Sequence, residues 1–432
     1  MSESPVRIDV RAYNVGFGDC LLVSFTYARA IDGRAERHML IDFGTNRAAP
    51  HGPRLADVAS FIEADTHGKL DAVVLTHRHR DHLMGFDPAV GGETILRLGP
   101  EVVIRPWTEV PPTDAGAGAL TSGQRALLDV LEGGHRFAAA LAAASFGPRP
   151  REAEAEITGL AAMQLRNADA IATLDKLARQ GTPFYVRFGD PLPADVLPGV
   201  SMEVLGPPDP DTWPAIRCQA STSIEYWLGL GRDDPAALAA IGAGAAPAVV
   251  GAGDAAALLE PGPGRWLIDR LDDHLVRSAE RLVHQLDGVL NNTSVILLIE
   301  AAGHRLLFPG DAQIENWSYA LTGAPDHEAL CERLRGVDLY KVGHHGSRNA
   351  TPRRTLFPLL AQASADQRVA LMSTLPGTYD RANAVPSEAL VTSLSAPPFV
   401  LLRTDAGDPA RHGRGVHVAA TGSGPFAVVA EP

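Results

Sequence analysis

Thr76-His77-Arg78-His79-Arg80-Asp81-His82 places three histidines and an aspartate within six consecutive positions, directly after the apolar run Ala72-Val73-Val74-Leu75. The β-branched run reads as a buried strand that ends where the histidines begin. Alternate side chains of an extended segment share a face, so His77 and His79 can close on one ion. Asp81 and His82 lie past the turn and can face a second ion. A single histidine in a chain that has 15 is most often a surface group or a satisfied core residue, but this spacing has few structural uses. Imidazole and carboxylate suit Zn²⁺, Mn²⁺ or Fe²⁺, and two such ions about 3.5–4 Å apart are a recurrent hydrolytic device.

The strand-forming segments on either side extend this pattern. Val6 to Val10 alternates apolar and polar residues, Asn14-Val15-Gly16-Phe17-Gly18-Asp19-Cys20 breaks the strand with glycines, and Leu21-Leu22-Val23 resumes it. That is a hairpin with a tight loop, whose Asp19 offers a carboxylate. His38-Met39-Leu40-Ile41-Asp42 is a third strand, and Asp42 at its end is placed to hydrogen-bond a ligand histidine or the loops beneath the metals. Leu55 to Ala64 has helical spacing, so strand and helix alternate as in layered α/β proteins.

A second set of candidates lies more than 200 residues later. Asn291-Asn292-Thr293-Ser294 leads into the apolar strand 295–299, and Leu306-Leu307-Phe308-Pro309-Gly310-Asp311 delivers an aspartate that can bridge two metals with its two oxygens. Val337 to Val342 is another strand, ending in Gly343-His344-His345-Gly346-Ser347. Neighbouring strand residues point opposite ways, so one of His344 and His345 is expected to bind metal and the other to support it or meet substrate. Lys341 and Arg348 are candidates for binding phosphate. Short strands and a helix near 387–394 complete the chain.

Between the two sets the composition changes. Leu160, Ile171, Leu174 and Leu177 suggest an amphipathic helix, and Leu267, Leu271, Leu275 and Leu282 suggest another. His135 is a weak ligand candidate. The stretch 235–264 is rich in Ala and Gly and reads as a connection. Across 432 residues, 38 basic and 51 acidic residues leave a net charge of −13, which disfavours a broad nucleic-acid face. Cys20, Cys218 and Cys331 are too few and too scattered for a disulfide framework. The first residues lack a signal peptide's features and no run has the length of a membrane span, so the expected location is cytoplasmic.

In order, Gly16-Phe17-Gly18-Asp19, Ile41-Asp42, His77 to His82, Asn292-Thr293-Ser294, Gly310-Asp311 and His344-His345-Gly346-Ser347 resemble the metallo-β-lactamase superfamily. Within it they look most like the hydrolase domain of ComEC-type competence proteins and the related phosphorylcholine esterases. The resemblance implies an α/β fold, a four-layer αβ/βα sandwich forming a single domain, with core residues at about 6–106, 184–207 and 291–425. Residues 107–183 and 208–290 are then helical insertions that border the site. It implies two divalent ions, Zn or Mn, held by His77, His79, Asp81, His82, Asp311 and His345 or His344. His345 is favoured because a histidine directly before glycine is usual in related loops. Asp19, Asp42, Asn292, Ser347 and Lys341 would support the ligands or meet substrate.

The chain departs from the pattern in three places. The separate histidine that many members carry before Gly310-Asp311 has no obvious counterpart, Leu83-Met84-Gly85-Phe86 replaces paired glycines, and no transmembrane channel is present. The implied activity is a metal-dependent phosphodiesterase acting on a nucleic acid, nucleotide or other phosphodiester through a metal-bound hydroxide. Asp81 would orient the hydroxide, and His344 or His345 would protonate the leaving oxygen. The competing expectations are a hydrolase of a lactone, β-lactam or thioester, and a non-enzymatic binding module stabilised by metal.

Overall fold

The computed structural model describes residues 4–111, 120–142, 168–217, 219, 223–227, 286–362, 367–378, 384–405 and 413–430. Cys218, Leu160 and the helix expected from Leu267 to Leu282 lie outside them. Fourteen strands among the described residues form two mixed sheets. The first takes β1 (Arg7–Tyr13), β2 (Cys20–Ile31), β3 (Arg34–Phe43), β4 (Ala72–Val74), β5 (Val102–Pro106) and β6 (Thr182–Val186). The second takes β7 (Ser201–Gly206), β8 (Ile296–Ala301), β9 (His304–Phe308), β10 (Leu339–Lys341), β11 (Arg368–Met372) and β12 (Phe399–Arg403). Two late strands, β13 (Gly415–Thr421) and β14 (Ala427–Val428), return to the first sheet, where β13 pairs with β1.

Each sheet has an antiparallel half and a parallel half. β3, β4, β5 and β6 run parallel, as do β9, β10, β11 and β12. Strands buried on both faces read as continuous apolar runs, which is why 72–75 and 295–299 carry almost no polar residue. Alternation then sorts their side chains. Ile41 and Val74 face Val204, Leu297, Leu306 and Leu371 of the other sheet in one core. Leu40 and Val73 face the opposite way, into helices Leu55–Asp65, Glu93–Leu98 and Ala168–Gln180. A third core packs Leu298, Leu307, Tyr340 and Ala370 against Trp317, Leu330 and Leu390 on the outer side of the second sheet.

Helix Ala168–Gln180 carries the predicted apolar positions Leu174 and Leu177, both buried. It crosses from β5 to the parallel strand β6, as any parallel pair requires, so it belongs to the helix layer of the first sheet. The strand Thr182–Val186 begins two residues before the expected core boundary at about 184. Helix Ser122–Ala142 is a different kind of element: its Leu127 and Leu131 meet Trp107, Ile216, Val289 and Leu290 in a small separate cluster.

Both parallel halves end on the same side as the histidine and aspartate loops, in agreement with the general placement of sites beyond the carboxyl ends of parallel strands. Glycines let these loops touch. A methyl group on Gly44 would stand 2.6 Å from the backbone of Arg80, Asp81 and His82, and one on Gly18 would stand 2.7 Å from the Asp81 carbonyl. That contact is locked by the Asp19 amide, which donates to the Asp81 carbonyl at 2.9 Å. Gly44→Ala is therefore expected to lower stability by about 1–3 kcal/mol, the usual cost of overpacking. Equilibrium denaturation checks this, and wild-type stability in that variant would contradict the close docking of the loop.

Candidate metal centre

Four strand ends supply the site. Asp42 belongs to the end of β3, His77 to His82 follow β4, Asp311 follows β9, and His344 and His345 follow β10. Asp42, His344 and His345 hold φ of 56°, 44° and 53°. Left-handed backbone at a non-glycine residue costs on the order of 1–3 kcal/mol and clusters at functional sites. For the two histidines it means that strand alternation does not set their directions. They sit in a short turn beyond the strand, and both Nε2 atoms come within 4 Å of Asp311.

Asp311 is the hub. Its Oδ2 is 4.0 Å from Nε2 of His77, 3.2 Å from that of His82, 3.9 Å from that of His344 and 3.6 Å from that of His345. Asp81 joins through His345, whose Nε2 is 3.3 Å from Asp81 Oδ2. One ligand atom from each of Asp81, His82, Asp311 and His345 lies within 4.8 Å of all the others, and all four residues are buried. His79 enters from the side, with its Nδ1 2.8 Å from His77 Nε2. His135 stands apart from this group and lines a small gap with Arg78, Leu131 and Leu286.

The outward ring nitrogens repeat one arrangement. His82 Nδ1 is 2.8 Å from Asp42 Oδ2, His345 Nδ1 is 3.1 Å from the Ser373 carbonyl, and His77 Nδ1 is 3.2 Å from the Thr76 hydroxyl. Such partners fix the tautomer and aim the other nitrogen inward. Asp42 is itself held by the Thr76 amide and hydroxyl, both at 2.7 Å. His344 differs, because its Nδ1 has no hydrogen-bond partner among the described residues and its side chain is 17% exposed.

Asp19, Asp42 and His82 form a second buried group of metal-ligand type. Existing contacts account for it: Lys341 Nζ donates to Asp19 Oδ2, and Asp42 serves Thr76 and His82. Lys341 is 1% exposed, so this ammonium is spent on Asp19 and is out of reach of a phosphate in solution. Arg348 lies over the Tyr226 ring at 5.7 Å. Ser347 donates to Asn349 at 2.7 Å. Asn292 donates through Nδ2 to Glu315 at 3.1 Å, while its neighbour Asn291 turns toward the site, with Nδ2 3.5 Å from His344 Nε2 and 3.3 Å from Asp287 Oδ2.

The electrostatics fit a cation. Burial raises the cost of charge on Asp311, but His82, His345 and His344 hold its pKa well below the usual carboxylate range. Burial also opposes protonation of His82 and His345; Asp311 outweighs it in both, helped by Asp42 for one and Asp19 for the other, and both pKa values are raised. His77 is pushed down, first by burial and then by His82 and His79, which leaves a neutral donor. Among the described residues, His82 Nε2, His345 Nε2 and Asp311 Oδ1 are buried without an aligned hydrogen-bond partner. Imidazole and carboxylate lone pairs converging in this way can hold a metal ion.

Asp287 was not legible as a site residue, because it lies in a stretch without motif or strand signal, and in the run that begins at Asn291 the residue singled out was Asn292. One further cleft lies away from this group. It encloses about 560 Å³ beside Gly199–Met202 and Glu300–Arg305, at the opposite ends of β7 and β8 from the histidines.

Because His82 and His345 carry raised pKa values, a cation entering here must displace protons from them, and its affinity must fall as pH falls through those values. Zinc titrations between pH 6 and 8 are expected to show affinity climbing with pH, by about tenfold per unit for each proton displaced. A flat profile would contradict the inward orientation of these two imidazoles. The chain matches none of the models of known protein families and none of the curated proteins it was compared with.

Proposed function

We propose that this protein is a metal-dependent hydrolase of the metallo-β-lactamase type, a four-layer αβ/βα sandwich that cleaves phosphodiesters. The observation that carries the reading is the position of Asp311 Oδ2 within 4.0 Å of four imidazole nitrogens drawn from both sheets. His77, His79 and Asp311 would hold one divalent ion, and Asp81, His82, Asp311 and His345 the other, with zinc or manganese suited to these donors. When bound, such a pair supplies activation of water and stabilisation of charge on phosphoryl oxygens.

The chain's own residues do the rest. Asp81 orients the attacking water and takes its proton. Asp42, Ser373 and Thr76 keep three imidazoles aimed inward, so that little reorganisation is needed when substrate arrives. His344 lacks such a brace and is partly exposed, and burial lowers its pKa. It is the histidine free to face the leaving oxygen, and a proton that its ring takes up from solvent would pass to that oxygen. The net charge of −13 favours a compact phosphodiester or a short end of a nucleic acid over a long duplex.

Asp81→Asn keeps size and one oxygen but loses the charge. Turnover of a phosphodiester by the zinc- or manganese-loaded protein is expected to fall by about 10² or more, while KM changes less. Metal content is measured on the same sample, and full metal with near-normal turnover would contradict the role of Asp81. The wild-type protein is to be assayed on phosphodiesters, lactones and thioesters side by side. Faster cleavage of a lactone or thioester would overturn the substrate class.

A further inference from the structure

The braces on His77, His82 and His345 raise the question of what serves His79, which sits at the rim with its Nδ1 2.8 Å from His77 Nε2. Its outer nitrogen, Nε2, lies 3.5 Å from Oδ1 of Asp287. Asp287 is the second residue of the described segment that closes the long stretch before β8, and Asn291, one helical turn later, donates to its other oxygen at 3.3 Å. The same Asn291 nitrogen stands 3.5 Å from His344 Nε2. One turn of chain thus touches both histidines at the open side of the site.

We propose that Asp287 is a positioning residue for His79: its carboxylate accepts the Nε2–H of the imidazole and so turns the Nδ1 lone pair toward His77 and the first metal position. The inference rests on the two-ion reading above and deepens it. The first position has three protein ligands where the second has four, and correct aim of His79 matters more there. An imidazole with its proton on Nδ1 would present N–H to a cation and repel it. The carboxylate on the other nitrogen selects the useful tautomer, as outer carboxylates do for metal-binding histidines in general. Asp287 is 35% exposed, so it can be replaced without opening the core.

The test uses zinc alone, with the full chain and no substrate. Zinc stoichiometry and the affinity of each equivalent are measured by competition with a chelator for wild type, Asp287→Ala and Asp287→Asn. Wild type is expected to bind two zinc ions per chain. Asp287→Ala is expected to weaken one equivalent by about 10- to 100-fold and leave the other unchanged. Asp287→Asn keeps an acceptor oxygen and is expected to recover most of the loss. Unchanged binding of both ions by Asp287→Ala would overturn the proposal. So would a loss of both equivalents with a lowered thermal midpoint, which marks a structural role, and so would an Asn variant as weak as Ala, which marks a direct ligand. Fewer than two zinc ions in the wild type would instead contradict the two-ion reading itself.

Discussion

Four carboxylates buried within one small region are the constraint on which the rest of this structure turns. Asp19, Asp42, Asp81 and Asp311 are each at most 5% exposed. An unpaired buried charge is costly enough that a chain normally neutralises it or supplies a partner. Asp19 has the ammonium of Lys341, and Asp42 has two hydrogen bonds from Thr76 and one contact with His82. Among the described residues, the side chains of Asp81 and Asp311 face imidazoles. One ammonium cannot offset four carboxylates, so protonated histidines or cations must supply the remainder. The raised pKa of His82 and His345 is the protein's answer when protons fill that role.

That arrangement also ties the sheets together. Asp311 comes from the second sheet and two of its neighbours, His77 and His82, follow β4 of the first, while Lys341 on β10 of the second sheet reaches across to Asp19 in the β1–β2 loop. Removing one member of a fully buried pair such as Lys341–Asp19 typically costs about 3–5 kcal/mol. The edge where the parallel strands of both sheets end is therefore held by polar contacts as well as by the apolar core between the sheets.

Much of this was readable in the residues. The runs before His77 and Asp311 read as buried strands because they are apolar without alternation, the run before His344 is buried although it carries Lys341, and each delivers its polar residue at the carboxyl end, where parallel strands leave a crevice. The braces could be read only in part. Asp42 stands out as a carboxylate at a strand end, but Ser373 acts through its backbone carbonyl, which no side-chain pattern reveals. Alternation was the wrong argument for His344 and His345, because it holds inside a strand, and here β10 stops at Lys341 and the turn takes left-handed backbone. Lys341 reads in the sequence as a candidate for binding phosphate, whereas a partner 322 positions away keeps it buried. Asp287 had no local signal, since its meaning depends on which histidine the fold brings beside it.

Equilibrium unfolding of metal-stripped protein across buffered free zinc concentrations tests most directly whether the two sets of ligands make one site. A cation bound by residues of both sheets must stabilise the fold as a whole, by about 1.4 kcal/mol per bound ion for each tenfold rise in free zinc above its Kd. The account predicts a single unfolding transition that moves steadily to higher denaturant as zinc rises. Unfolding of confirmed metal-free protein that does not respond to zinc at any concentration would contradict it.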